Sequence, residues 1–268
     1  MRDFQLFQRY YFAGVPHTRN SGPEGLAFFK HTIFAAHVLR PQTMPLVRTE
    51  TVNGACVWGL WETTETLPQL YGLWNANEPD AAYFSDFSHQ GRLRQTLASR
   101  VLVRHLVQSR GGQYVGISKN AAGKPCLPGS GFHVSVSHTE GYAAAILHQS
   151  RAVGIDIEPV KEKLIRIAPR ILSPNECRDA GGDPEKICVY WCAKEALYKL
   201  YGCRQLSFRE HIRLHNFEMR DYGTLFGEIR THSHWTGFAV FYRKVHNFIM
   251  AYSYESEHTT TFDTTAIE

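Results

Sequence analysis

The sequence predicts an α+β fold, and three features of its patterning carry that prediction. Across residues 91–109 apolar side chains return at helical spacing: Leu93, Leu97 and Val101 recur every four residues, as do Ala98, Leu102 and Leu106. Further on, Phe132, Val134 and Val136 alternate with His133, Ser135 and Ser137, the two-residue period of a strand. Helix and strand patterns occur in both halves of the chain with mostly hairpin-type connections. That fits α+β better than a doubly wound parallel sheet.

The elements follow in order. Residues 1–43 have a breaker-rich centre, GVPHTRNSGPEG, and no clear strand pattern; Met44 is expected to be the natural start and the segment before it an extension. Residues 55–61 (ACVWGLW) read as a buried strand, 63–73 and 79–87 as short helices, and 91–109 as a long helix ended by Gly111 and Gly112. Strands are expected around Val134, at 142–147 and at 152–158. Ser173, Pro174 and Glu176 form a capping box with proline at the first helical position. Asp183 and Pro184 open a longer helix to Tyr201, and Gly202 stands where a terminating glycine belongs. Residues 224–230, 236–243 and 246–254 read as closing strands, and 257–268 as a loose polar tail. The expected division is an extension (1–43), an N-terminal half (44–145), a C-terminal half (146–256) and the tail.

Composition bounds the function. Of 268 residues, 43% are apolar and 20% charged, enough to bury a core. A net charge of +4 without dense Lys/Arg runs suits an enzyme of anionic ligands and argues against nucleic-acid binding. The six cysteines (56, 126, 177, 188, 192 and 203) form no CxxC pair and no zinc spacing, and read as reduced thiols of a cytoplasmic protein. No stretch reaches the ~18–20 apolar residues of a membrane span. Residues 25–39 are apolar but carry Lys30, His31 and His37, and are too short for stable membrane anchoring.

Two segments carry chemistry. In GIDIE (154–158), strand geometry turns Asp156 and Glu158 to one face, and Ile155 and Ile157 to the other. Paired carboxylates suit a hard cation such as magnesium; a strand with two solvated acids is the alternative. In the helix from Pro184, Ile187, Trp191, Tyr198 and Tyr201 share a stripe that also holds Lys194, so its ammonium needs a partner. Glu195 and Lys199 border that stripe, either as a simple i,i+4 pair or as part of a site. Three acids and two lysines converging would suit a magnesium-bound diphosphate.

GIDIE followed by WCAKEALYK (191–199), with GKP at Gly123–Pro125 and SVSH at Ser135–His138, resembles the 4'-phosphopantetheinyl transferases, specifically the larger monomeric class that activates peptide, polyketide and fatty-acid synthases. The resemblance runs from about Met44 to Tyr254. It implies two similar α/β halves related by a pseudo-twofold, each a small, mainly antiparallel sheet on a long helix. Coenzyme A would lie between the halves and an apo carrier protein would be the partner. Asp156, Glu158 and Glu195 match magnesium ligands, and Lys199 matches a lysine on the coenzyme A diphosphate. Lys194 matches a lysine of phosphate or substrate positioning. His138, with Ser137 beside it, matches a contact to coenzyme A phosphates, while Lys124 and Pro125 match the nucleotide-lining segment. Either Arg92 or Arg94 matches the arginine of the 3'-phosphate, with a solvated helix arginine as the alternative for each. His138 could otherwise simply bond the turn that follows it.

The implied reaction is attack of a carrier serine on the β-phosphate of coenzyme A, releasing adenosine 3',5'-bisphosphate, with Glu195 as candidate base. A non-catalytic coenzyme A or carrier-protein binder is the main rival. An unrelated magnesium phosphotransferase would need a phosphate loop, and neither GxxxxGK[ST] nor GxGxxG occurs.

Overall fold

A computed structural model describes residues 46–74, 89–203, 206–231, 234–256 and 261–263. Residues 1–43 and the helix expected at 79–87 lie outside them. By its internal contacts the chain divides into Met1–Met44 and Pro45–Glu268, and all described elements belong to the second unit.

The first sheet contains β1 (Leu46–Asn53), β2 (Cys56–Glu62), β5 (His133–Thr139) and β6 (Tyr142–His148), in the order β1-β2-β6-β5 and antiparallel throughout. Helices α1 (Leu67–Trp74) and α2 (Gln90–Ser109) follow β2, and a small hairpin of β3 (Ser118–Lys119) and β4 (Pro125–Cys126) precedes β5. The second sheet contains β7 (Val153–Pro159), β8 (Ile212–Leu214), β9 (Tyr222–Thr231), β10 (His234–Val245) and β11 (Phe248–Tyr254), in the order β7-β11-β10-β9-β8. Between β7 and β8 run α3 (Lys163–Ile171), α4 (Pro174–Ala180) and α5 (Pro184–Tyr201).

The α+β prediction holds. Each long helix covers one sheet, for the reason its pattern gave. The stripe Leu97, Val101, Leu102 and Leu106 of α2 packs on Val57, Trp61, Ala143, Ala145 and Leu147, alternate residues of β2 and β6. The opposite residues of those strands, Trp58, Leu60, Ala144 and Ile146, pack on Ile155, Ile157, Met250 and Tyr252 of the second sheet. Helix α5 covers the far face of that sheet. The layers are therefore α2, first sheet, second sheet, α5. Trp58 and Trp61 are fully buried on opposite faces of β2, each worth at least ~1.5–3 kcal/mol of transfer free energy.

Helix ends follow the sequence signals. Ser173 and Glu176 close a reciprocal capping box with Pro174 in the first turn, and Gly181 ends α4 at φ 60°. The Asp183 carboxylate accepts from the Glu185 amide, and Gly202 ends α5 at φ 69°. Four expectations change. The helix expected from residue 63 starts at Leu67. Helix α3 and strand β8 were not foreseen, since KLIRIAPRI contains Pro169 and β8 has only three residues. Part of the expected loose tail forms β12 (Thr261–Asp263), which pairs with β10. Helix α5 is not a one-stripe helix: every residue from Ile187 to Leu197 is buried, because α3, α4 and β8 cover the faces that the sheet leaves open. No helix among the described residues is long and apolar enough to cross a membrane.

Candidate active site

Strand β7 and helix α5 meet at backbone contact, and Gly154 allows it. A Cβ built on Gly154 would lie 1.9 Å from the Ala196 carbonyl oxygen and 2.6 Å from the Leu200 nitrogen. No side chain fits there. That approach brings the carboxylates of β7 beside Glu195 and Lys199, one turn apart on α5.

At the centre is Asp156, 3% exposed. Its Oδ1 accepts from Ser137 Oγ and from Lys199 Nζ, each at 2.7 Å. Lys199 also donates to the Ile155 carbonyl at 3.1 Å. Asp156 Oδ2 is buried with no hydrogen-bond partner among the described residues. The reading of β7 as a strand with two solvated acids therefore fails at Asp156. So does the simple i,i+4 reading of Lys199, whose ammonium crosses to β7. The face assignment holds, since Ile155 and Ile157 are fully buried in the core between the sheets.

Glu195 is 9% exposed. Burial, then the charges of Asp156 and Glu158, push its carboxyl up to about 8 against the pull of Lys199. Lys199 is itself raised: burial works against its charge, but Asp156, Glu195 and Glu158 outweigh it. His138, near the end of β5, is exposed. Desolvation, then Lys199, depress its imidazole to about 4, and Arg92 adds to the effect while Asp156 opposes it. Arg92, His138, Asp156 and Lys199 thus share one electrostatic neighbourhood.

The acids fit a hard cation in donor type. Three carboxylates lie within each other's electrostatic reach, and one buried oxygen lacks a partner among the described residues. Among the described residues no group of three or more His, Cys, Asp or Glu side chains stands close enough to hold a metal as placed. Lys199 is the cation on Asp156.

Other expected residues are placed differently. Lys194 does not join this cluster. Fully buried, its Nζ donates to Glu176 Oε2 (2.8 Å), the Phe208 carbonyl (2.7 Å) and the Ile212 carbonyl (2.6 Å). An ammonium has three donors, and all three are taken by protein groups, so Lys194 stands here as a buried ion pair away from the carboxylates, where phosphate or substrate positioning had been expected of it. Ser137 is turned onto Asp156 and is 8% exposed; it holds the carboxylate. Lys124 donates to the Leu200 carbonyl at 2.9 Å, on the last turn of α5. Burial lowers its ammonium to about 8, with Cys203 and Glu255 working the other way. Pro125 is half-buried at the start of β4. Arg94 donates to the Thr63 carbonyl at 2.8 Å, which ties α2 to the loop after β2 and leaves Arg92 as the arginine beside His138.

Two residues were not foreseen. Ser135 Oγ accepts the Ile155 amide at 3.1 Å, so both serines of the SVSH segment clamp β5 to β7. Glu176 was legible as a cap, but nothing in its local pattern marks it as the partner of Lys194.

Residues 152–259 match the family model of the 4'-phosphopantetheinyl transferase superfamily. The 4'-phosphopantetheinyl transferase psf-1 of Bacillus pumilus is 31% identical over 118 residues, covering 41% of this chain and 50% of its own. The 4'-phosphopantetheinyl transferase ffp of Bacillus subtilis is 31% identical over 128 residues, 43% of this chain and 55% of its own. The 4'-phosphopantetheinyl transferase Sfp of Bacillus subtilis strain 168 is 32% identical over 126 residues, again 43% and 55%. The chain spans about half the length of these curated relatives. The region that carries Asp156, Glu158, Glu195 and Lys199 is therefore the region similar to 4'-phosphopantetheinyl transferases, as the motifs had indicated.

Proposed function

We propose that this protein is a magnesium-dependent 4'-phosphopantetheinyl transferase, moving phosphopantetheine from coenzyme A to a serine of an apo acyl or peptidyl carrier protein. The observation that carries the reading is buried Asp156. One oxygen is held by Lys199 and Ser137, the other has no partner, and the proton-retaining carboxyl of Glu195 is adjacent on α5. Such an arrangement is costly to fold and is accounted for by a bound cation and phosphate.

In this reading Asp156, Glu158 and Glu195 hold magnesium, which when bound supplies charge neutralisation on the diphosphate. Lys199 stands beside Asp156 as a donor to a diphosphate oxygen, and neutral His138 with Arg92 offers further contacts to the nucleotide phosphates. Lys124 and Pro125 border the nucleotide. The carrier serine Oγ forms a bond to the β-phosphorus. The bond from that phosphorus to the bridging oxygen breaks, and adenosine 3',5'-bisphosphate leaves with the oxygen. The serine proton passes to the ionised form of Glu195, the form that would also hold a cation. The halves 44–145 and 146–256 would act together as a monomeric cytoplasmic enzyme, with neither nucleic acid nor membrane as partner.

Glu195→Gln tests the chemistry. Coenzyme A binding by calorimetry should remain largely intact while transfer, read by intact mass of the carrier, is lost. Near-normal turnover of this variant would remove Glu195 from the mechanism.

A further inference from the structure

We infer that Lys194 and Glu176, which the mechanism does not use, are positioning residues for the active-site helix: their buried ion pair sets how α5 lies against β7 and fixes the segment that returns from α5 to β8. The inference rests on the transferase reading for its consequence, but its geometry stands on its own.

Lys194 precedes Glu195 in sequence, so the two side chains leave α5 about 100° apart. Glu195 turns to β7; Lys194 turns to α4 and β8. The carboxylate of Glu176 is used completely. Oε1 accepts the Leu214 amide at 2.8 Å, while Oε2 accepts the Ser173 amide at 2.6 Å and the ammonium at 2.8 Å. Glu176 is 1% exposed and Lys194 fully buried, so neither charge has water as an alternative partner. The two other donors of Lys194 hold the Phe208 and Ile212 carbonyls. The Phe208 ring then sits against Trp191 and Tyr198, its centroid 5.3 and 5.2 Å from theirs. One ammonium therefore joins α4, α5, the segment at Phe208 and the start of β8. Lys199 grips the opposite side of the same helix through Asp156. Helix α5 is thus gripped from both sides at the level of Glu195. Tyr190 and Lys186 tie the earlier turns of the same face to Asp179 of α4, so the Lys194 pair fixes the turn that carries Glu195.

A purely structural pair and a positioning pair predict different behaviour when the charges are removed together. Lys194→Met and Glu176→Gln each leave one buried charge or carboxamide mismatched, and each should lower the melting temperature sharply. The double variant K194M/E176Q removes both charges and keeps a carboxamide oxygen for one of the Ser173 and Leu214 amides, so its melting temperature should recover in part. Hydrogen exchange across residues 206–214 should nevertheless stay faster than in the unmodified protein, because the Phe208 and Ile212 carbonyls have lost their donor. Its kcat for transfer should fall about 10- to 100-fold with KM for coenzyme A little changed, as expected when the groups doing chemistry are displaced but binding is not. A double variant that regains stability together with normal exchange at 206–214 and normal kcat would overturn the inference. If the unmodified protein transfers nothing to any carrier, the proposed function fails, and the exchange pattern of the double variant alone decides whether the pair positions this helix.

Discussion

At Asp156 the two oxygens of one carboxylate have different fates, and that asymmetry is the residue-scale basis of the account. Oδ1 is held by Ser137 and Lys199; Oδ2 is buried and has no partner among the described residues. Ser137→Ala should therefore loosen the carboxylate rather than remove a ligand contact. A stability loss of about 1.5–3 kcal/mol is expected in urea denaturation, the range for a hydrogen bond to a charged group. His138 gives a second prediction. Its folded pKa is depressed to about 4, below the ordinary histidine value, so the unfolded chain binds the proton more readily in between. The stabilising contribution of neutral His138 is full above about pH 6.5 and is lost as pH falls toward 4. An NMR titration should show its ring neutral at pH 6; a midpoint at or above 6.5 in the free protein would contradict this. The residue types of this site were legible in the sequence: the strand period put Asp156 on the face away from Ile155 and Ile157. The partners were not. Lys194 was legible only as misplaced, because Glu176 is eighteen positions earlier on another helix and only the tertiary fold joins them.

At the scale of elements, the contact of β7 with α5 decides the geometry. Gly154→Ala would force a methyl group into the Ala196 carbonyl, and a helix backbone cannot rotate aside as a side chain can. We expect a destabilisation at the top of the overpacking range or beyond, about 3 kcal/mol or more, with loss of transfer. A variant that folds and works normally would show that β7 and α5 are not in backbone contact. The cap of α5 makes a milder prediction: Asp183→Ala should cost about 1 kcal/mol in denaturant melts. Element by element, the sequence served best where local chemistry decides. The period of α2, the alternation of β5, the capping box of α4 and the glycine after α5 all appear where the pattern put them. It served worst where tertiary contacts decide. Strand β8 has only three residues and exists because β9 pairs with it. Helix α5 is buried on every side from Ile187 to Leu197, so an apolar stripe does not mark one covered face.

At the scale of the whole molecule, α2 and α5 lie outside two sheets that pack face to face, and β5 is clamped to β7 by Ser135 and Ser137. Residues of the first sheet therefore reach the acids of the second: Ser137 touches Asp156, and His138 feels Lys199. Lys124 adds a tie from the β3–β4 turn to the end of α5. That the SVSH and GKP segments work with GIDIE and WCAKEALYK was legible only through resemblance, since they are far apart in sequence and no local period links them. Transfer from coenzyme A to a carrier serine is read from the intact mass of the carrier. Apo acyl and peptidyl carrier proteins are incubated with this protein, coenzyme A and magnesium, and parallel samples receive a chelator. A gain of one phosphopantetheine is expected on at least one carrier, dependent on magnesium and lost when its serine is replaced by alanine. No gain on any carrier of a broad panel, with coenzyme A binding intact, would contradict it and favour a protein that binds without transferring.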